Sequence, residues 1–283
     1  MPEWTIRLLE NAEEMAAVEA LQRVVWQCTD AEIVPVHMLM AIAHNSGIVL
    51  GAYVEKELVG VAFGFSGFYD TPDGPRLKHH SHILGVHPDW REKGVGFALK
   101  RAQWQMVRHQ GIDRMTWTYD PLLSRNAYLN IARLGAVCNT YRRSEYGEMR
   151  DGLNAGLPSD RFQVDWWLNT KRVERRLSRR SRPVLTLEHY QTADVSLIGA
   201  RSGSGPGPRP AEEAPALTGS LLLVEIPADF LALKEVDFAL ARDWRFYSRE
   251  IFEKAFGAGY LATDFVHDQG RSFYVLTHGE STL

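Results

Sequence analysis

The chain has 283 residues and only two cysteines, Cys28 and Cys138. Two thiols so far apart cannot form a disulfide framework or a CxxC metal knuckle, and they suit a reducing, cytoplasmic location. Long apolar runs are missing too. No window reaches the ~18 residues a spanning helix needs, and the opening "MPEWTIRLLENAEEM" lacks a basic segment followed by an apolar one, so neither membrane insertion nor secretion is expected. Charge of one sign is also lacking. The 32 Lys and Arg against 35 Asp and Glu leave a net charge of -3, which gives no general attraction for nucleic acid. Two phosphate motifs are absent. No GxGxxG opens a βαβ unit with an acidic residue following, and there is no GxxxxGK[ST], which disfavours dinucleotides and nucleoside triphosphates.

The 45% hydrophobic content is that of a folded protein with a buried core, and its patterning predicts the order β α α β β β α β α β β. "WTIRLLE" alternates as a strand, and residues 11–27 follow as a helix with Asn11 as N-cap and Glu14 in the capping-box position. "VPVHMLMAIAHNSG" reads as a helix ending at Gly47, and "IVLGAYVEKELVGVAFGFSGFY" as a hairpin turning at Glu55–Glu57. "HSHILGVH" is a strand stopped by Pro88, and a helix runs from about Gly94 to His109. "DRMTWTYDP" is a strand ended by Pro121. "SRNAYLNIARLG" is a helix closed by Gly135, and "AVCNTYRRSEYG" and "RFQVDWWLN" are strands.

The basic run "KRVERRLSRR", 171–180, reads as a solvated helix end rather than an RNA contact. Residues 199–216, "GARSGSGPGPRPAEEAPA", lack periodicity and read as a flexible linker or loop. Residues 217–283 read as a small β-α-β-β unit.

The chemistry concentrates at "HSHILGVHPDWREKGVGFALKRAQ". Unpaired N–H groups at a helix start, together with the helix dipole, make an anion site. Gly94 and Gly96 clear room for a phosphate there, and Arg91 and Lys93 add charged donors. An R-x-x-G-x-G turn alone is also what any tight turn looks like. His80 and His82, two apart on a strand, point to one side and suit proton transfer. With His79 they do not make a closed zinc site, since no Cys or carboxylate stands nearby.

The run from 80 to 135 resembles the GNAT superfamily of acyl-CoA-dependent N-acyltransferases. The resemblance rests on the strand "HILGVHPDW", the turn "REKGVG" with its helix, the strand "MTWTYDP", and "NAYLNIARLGA" as the second signature. It implies an α+β GNAT fold, a mixed and mostly antiparallel central sheet flanked by helices, over residues 1–170. A connecting segment would cover 171–198, and the C-terminal β-α-β-β extension would follow the linker.

By this resemblance Arg91, Glu92, Lys93, Gly94, Val95, Gly96 and Phe97 would hold the coenzyme A pyrophosphate. The strand at Leu84, Gly85 and Val86 would splay from its neighbour at 115–120 and pair with pantetheine. A backbone N–H near Leu84 would face the thioester carbonyl, and Asn126 would contact the pantetheine arm; no metal is implied. "HSHILGVH" looks like the arylalkylamine acetyltransferase branch, which makes His82 the base with His80 assisting. The family's usual acid, a Tyr four residues before the closing Gly, is replaced by Ile131. Tyr128 is the substitute, Tyr141 and Tyr146 are further candidates, and departure of the thiolate without an acid is the alternative.

The acceptor is expected to be a small-molecule amine, with Trp26, His37, Phe68, Arg142, Arg143 and Arg161 lining its pocket. Arginines beside aromatic rings suggest an amino acid or another carboxylate-bearing amine. The donor is expected to be acetyl-CoA or another acyl-CoA. Succinyl-CoA is included because "SHILGV...WTYDPL...NAYLN...LG...YGE" resembles an amino-acid N-succinylating subgroup. No nucleic-acid or membrane partner is expected, and a homodimer through the C-terminal unit is compatible with the pattern. The competing reading is a non-catalytic acyl-CoA-binding protein on the same fold.

Overall fold

The computed structural model describes residues 4–26, 32–149, 155–178, 185–193, 195–199, 208–211 and 215–278. They divide into two compact units, one of Met1–Trp117 with Arg150–Ala155 and the other of Thr118–Met149 with Gly156–Leu283.

The first unit holds β1 (Thr5–Leu8), α1 (Ala12–Trp26), α2 (Val36–His44), β2 (Ile48–Val54), β3 (Glu57–Tyr69), β4 (Arg76–Val86), α3 (Val95–His109) and most of β5 (Arg114–Tyr119). The capping box forms as expected: Glu14 N–H donates to Asn11 Oδ1 at 3.0 Å and Asn11 N–H donates back to Glu14 Oε2 at 3.3 Å. Strands β1 to β5 lie in chain order, antiparallel except for the parallel pair β4–β5. Met15, Val18 and Leu21 of α1 pack with Leu39 of α2 on Val49, Val61 and Phe63 of the sheet. Each buried aliphatic side chain of this kind contributes about 1.5–3 kcal/mol. On α3, Val95 and Leu99 press so closely on Gly60 that a β-carbon there would stand 2.9 Å from Val95 Cγ1.

The β3–β4 pairing carries a bulge. Phe63 pairs with Ile83 and Gly64 with Ser81, so His82 has no partner on β3. Gly64 is required beside the bulge, because a β-carbon there would meet His80 O at 2.3 Å and His79 Nε2 at 2.4 Å.

The second unit begins with the end of β5 and α4 (Ser124–Ala127), which runs into a π-helical turn, Tyr128–Arg133. Then come β6 (Val137–Arg142), β7 (Arg161–Trp167), α5 (Lys171–Leu177), α6 (Leu187–Gln191), β8 (Ser196–Ile198), β9 (Leu221–Ile226), α7 (Phe230–Val236), α8 (Phe238–Gly257), β10 (Tyr260–Asp268) and β11 (Arg271–His278). Its strands run β7-β6-β10-β11-β9-β8. The element order of both units follows the sequence reading, with two differences: the second-signature helix winds as π after its first turn, and α6 and β8 appear where a connecting segment was expected. Cys28 lies outside the described residues, as do 200–207 and 212–214 of the expected linker. Pro208, also within that expected linker, docks on α8, its carbonyl accepting from Trp244 Nε1 at 2.9 Å.

The core of this unit is aromatic. Phe162 of β7 meets Phe252 of α8 edge to face with ring centroids 4.7 Å apart, and Phe252 meets Tyr274 of β11 at 5.2 Å. Two ion pairs are buried on α8. Arg245 forks onto both oxygens of Asp120, and Arg249 onto both oxygens of Asp160 at 2.8 and 2.9 Å. Two arginines of the basic run are spent internally, while Lys171 and Arg175 are exposed and 179–180 lie outside the described residues. Arg172 donates to Gly135 O, and Arg176 pairs with Asp264.

Candidate active site

The bulge at His82 gives β4 two differently used faces. His79 and Ser81 turn towards α3, where Gln103 and Lys100 meet them. Leu84 and Val86 also lie on the α3 side, beside Gly96. His80 and His82 turn the other way. Their rings are 6.0 Å apart, with Phe65 5.5 Å from His80 and Phe63 5.6 Å from His82. Phe65 is 40% exposed, so this aromatic shelf is open on one side. Gly85 carries the ring of Trp26, whose Cη2 would lie 2.6 Å from a β-carbon there.

Burial, then the charges of His82, Lys78 and Lys100, push the pKa of His80 down to about 4. Burial also lowers that of His82. Both imidazoles are therefore neutral at pH 7 and can accept a proton. His80 Nδ1 lies 3.5 Å from Thr116 Oγ1 on β5.

At the start of α3 no side chain caps the helix, and no acidic residue occupies its first turn. Glu92 and Gly94 both have positive φ, 63° and 88°, in the turn leading into Val95. Turn residues of this kind aim successive N–H groups into one concavity, which is the geometry of an anion nest. A β-carbon at Gly96 would stand 3.7 Å from Val86 Cγ2. Arg91 is tied down, with Nε donating to Val86 O at 3.3 Å and Nη2 to Val25 O at 3.2 Å. Lys93 Nζ sits 4.5 Å over the Trp90 ring.

Among the described residues, β4 and β5 pair only at His79–Met115 and His80–Thr116. Ser81 to Val86 therefore offer a sheet edge on the β5 side, next to the histidines and leading to the start of α3. An extended ligand arm can add to such an edge as a strand does.

Residues 15–129 match the family model "Acetyltransferase (GNAT) family". This stretch of the chain is similar to GNAT acetyltransferases. No curated protein matches it. Among solved structures it resembles the ribosomal-protein-S18-alanine N-acetyltransferase of Escherichia coli at 16% identity, over 58% of this chain and 92% of that one, with a TM-score of 0.43. It resembles yncA of Salmonella typhimurium with its cofactor acetyl-CoA at 18% identity, over 59% and 94%, with a TM-score of 0.46. PaiA N-acetyltransferase of Thermoplasma acidophilum in complex with coenzyme A resembles it at 18% identity, over 58% and 98%, with a TM-score of 0.38.

The other expected GNAT site residues fall as follows. In the first unit, His37 is exposed on α2 and Phe68 is 68% exposed on β3. In the second, Asn126 is half-buried on α4 and Tyr128 is 39% exposed in the π-helical turn, while Ile131 is fully buried. Tyr146 OH bonds Thr118 Oγ1 at 2.6 Å. Tyr141 OH donates to Asp160, and burial pushes its pKa up, so it is a poor acid. The three arginines are engaged: Arg142 on Gln163 Oε1, Arg143 on Glu253, and the buried Arg161 on Asp160 O and Met149 Sδ. Among the described residues no His, Cys, Asp and Glu group is placed to hold a metal ion, and no helix is long and apolar enough to cross a membrane.

The sequence reading missed Phe63 and Phe65, which shape the surroundings of the histidine pair. The alternation of "VAFGF" opposite "HSHI" carries that signal, once the two strands are paired.

Proposed function

We propose that this protein is a cytoplasmic, acyl-CoA-dependent N-acyltransferase that moves an acetyl or succinyl group to the amine of a small molecule by direct attack. The acyltransferase domain spans 1–170, and the acceptor class is an amino acid or another compact amine. The observation that carries this reading is a single strand, β4, with the neutral pair His80 and His82 at one point, an open sheet edge after it, and the uncapped start of α3 at its end.

When bound, an acyl-CoA supplies the thioester whose C–S bond breaks as the amine's N–C bond forms. The chain's own residues do the rest. The N–H groups from Val95 to Phe97, with the turn at Glu92–Gly94, hold the pyrophosphate. The open edge at Leu84–Val86 takes the pantetheine, and a backbone N–H near Leu84 polarises the thioester carbonyl. The attacking nitrogen must be neutral, and His82, with His80 beside it, accepts its proton. Phe63 and Phe65 flank the pair with apolar surface. Tyr128 is the candidate donor to the departing sulfur.

Calorimetric titration with acetyl-CoA, succinyl-CoA and coenzyme A tests this, repeated on Gly94→Glu. Micromolar binding that disappears in the variant is expected. No binding to any of the three removes the reading, and a donor panel without preference for succinyl-CoA removes the succinyl arm.

A further inference from the structure

The three arginines expected to meet an acceptor carboxylate are engaged elsewhere. The first unit holds another cation, Lys78, on the face of β4 that carries the histidine pair. Before the bulge β3 and β4 pair without a shift, Gly67 opposite Lys78 and Phe65 opposite His80, and residues two apart on a strand share a side. Lys78 therefore stands in line with His80, one step of about 6.5 Å back along the strand. The His82 ring, 6.0 Å from both the His80 and the Phe65 rings, continues that line.

The cover of the sheet ends here. Phe63 is fully buried among the apolar residues of α1 and α2, whereas Phe65 is 40% exposed. One pair further on, a β-carbon at Gly67 would meet nothing within 4 Å. The half-buried Lys78 thus borders open space.

The same end of the face is basic. Arg76 lies two residues from Lys78, opposite Tyr69, and the Arg114 guanidinium of β5 sits 4.3 Å over the Tyr69 ring. The charge of Lys78 reaches His80, although burial and then His82 are the larger causes of the lowered pKa there. Arg76 has Asp73 at 3.7 Å, but among the described residues no carboxylate pairs with Lys78. Like charges collected on one face of a sheet repel. An anion bound beside Gly67 offsets that repulsion, and an ammonium offers it three donors on a compact charge.

We propose that Lys78 determines acceptor specificity by binding a carboxylate, so that the amine presented to His80 and His82 is that of an amino acid lying along β4 with its carboxylate over Gly67. This rests on the reading of the histidine pair as the proton acceptor. The amine then lies by the neutral imidazoles and the anionic end by the cations. A carboxylate on the acyl group, as in succinyl-CoA, is the other source of the same chemistry.

The test is initial-rate kinetics with acetyl-CoA on the common amino acids, each beside the amine that remains when its carboxylate is removed. The parent should prefer the amino acid of a pair, through KM. In Lys78→Met the KM for that amino acid should rise about 10- to 100-fold with kcat within about threefold, which closes the gap between the two members, and Lys78→Arg should restore part of it. Gly67→Glu is the second variant, since it sets a carboxylate opposite Lys78 in open space. It should weaken the same amino acid with no drop in melting temperature. A parent that treats both members of every pair alike overturns the proposal, as does a folded Lys78→Met that keeps the parent's preference. A Lys78→Met whose KM rises for succinyl-CoA and not for the amino acid overturns it too, by assigning the carboxylate to the donor. If His82→Ala keeps full turnover, or nothing is acylated, the reading of the histidine pair is what has failed. Calorimetric titration with the same pairs then decides Lys78: binding that favours the amino acid and is lost in Lys78→Met upholds its role, and any other result ends it.

Discussion

His80 and His82 hold their rings 6.0 Å apart on one side of β4 although a bulge leaves His82 unpaired between Ser81 and Ile83. The bulge adds a residue to the strand, so His80, His82, Ile83 and Gly85 share the α1 side while Leu84 and Val86 turn to α3. One strand can thus present proton acceptors to one side and an apolar floor beside the helix start on the other.

The first prediction concerns this pair. His82→Ala should lower kcat by about 10²–10⁴-fold and leave calorimetric acyl-CoA binding unchanged. Turnover equal to the parent would remove His82 as base.

The pH dependence of turnover follows from burial. Since the His80 pKa falls to about 4 and that of His82 is lowered from its ordinary 6.5, the pair stays neutral well into acid. The acid limb of kcat/KM should lie below pH 6.5. A limb at or above that value in initial-rate measurements would assign the proton to another group.

Stability should have its own pH dependence from the same strand. His79 is buried and its pKa falls to about 3, while in the unfolded chain it titrates near 6.5. Between those values the unfolded state binds more protons, so stability rises with pH there. The contribution of His79 and His80 is present above pH 6.5 and is lost as pH falls through about 4 and about 3. Urea unfolding at stepped pH should show this loss, and His79→Phe should reduce it.

Gly64→Ala should destabilise severely, by more than ~2 kcal/mol, because the new methyl would press on the His80 carbonyl and the His79 ring. Gly94→Ala should be milder. There the surroundings leave 3.8 Å to Trp4, and the cost is that of positive φ, about 1–2 kcal/mol. Equal melting temperatures for the two variants would contradict the bulge geometry.

Within the second unit, Arg245→Met should cost about 3–5 kcal/mol by taking the forked guanidinium from buried Asp120, whose other cation, Arg161, stands 3.9 Å away, and Arg245→Met with Asp120→Asn should recover part of that. A fragment ending at residue 216 would leave both Asp120 and the fully buried Asp160 without α8. It should show no cooperative thermal transition, and a cooperative transition at the parent's temperature would show that α8 is dispensable.

The order of elements was legible because it depends on local signals. The Asn11–Glu14 box, the apolar spacing of α1 and α3, and Gly94 before an uncapped helix are each read from neighbours along the chain. So was the uncapped helix start at "REKGVG", since helix N–H groups need no tertiary partner to stay unsatisfied. Alternation placed His80 and His82 together but would also have placed Leu84 with them. Only the pairing of β4 with β3 decides that a bulge intervenes, and bulges leave no signature within one strand. The π-helical turn at Tyr128 was hidden for a similar reason, because α and π turns draw on the same residues.

Tertiary structure also decided the arginines. Arg142, Arg143 and Arg161 read as open to a carboxylate, yet each finds a partner from a distant element or the adjoining backbone. Arg245 and Arg249, one helical turn apart on α8, find Asp120 and Asp160 more than 80 positions away. Composition and periodicity determine which segments fold and where a helix start is left uncapped. Which charges are spent holding the fold, and which stay available for chemistry, depends on long-range contacts that only the folded chain brings together.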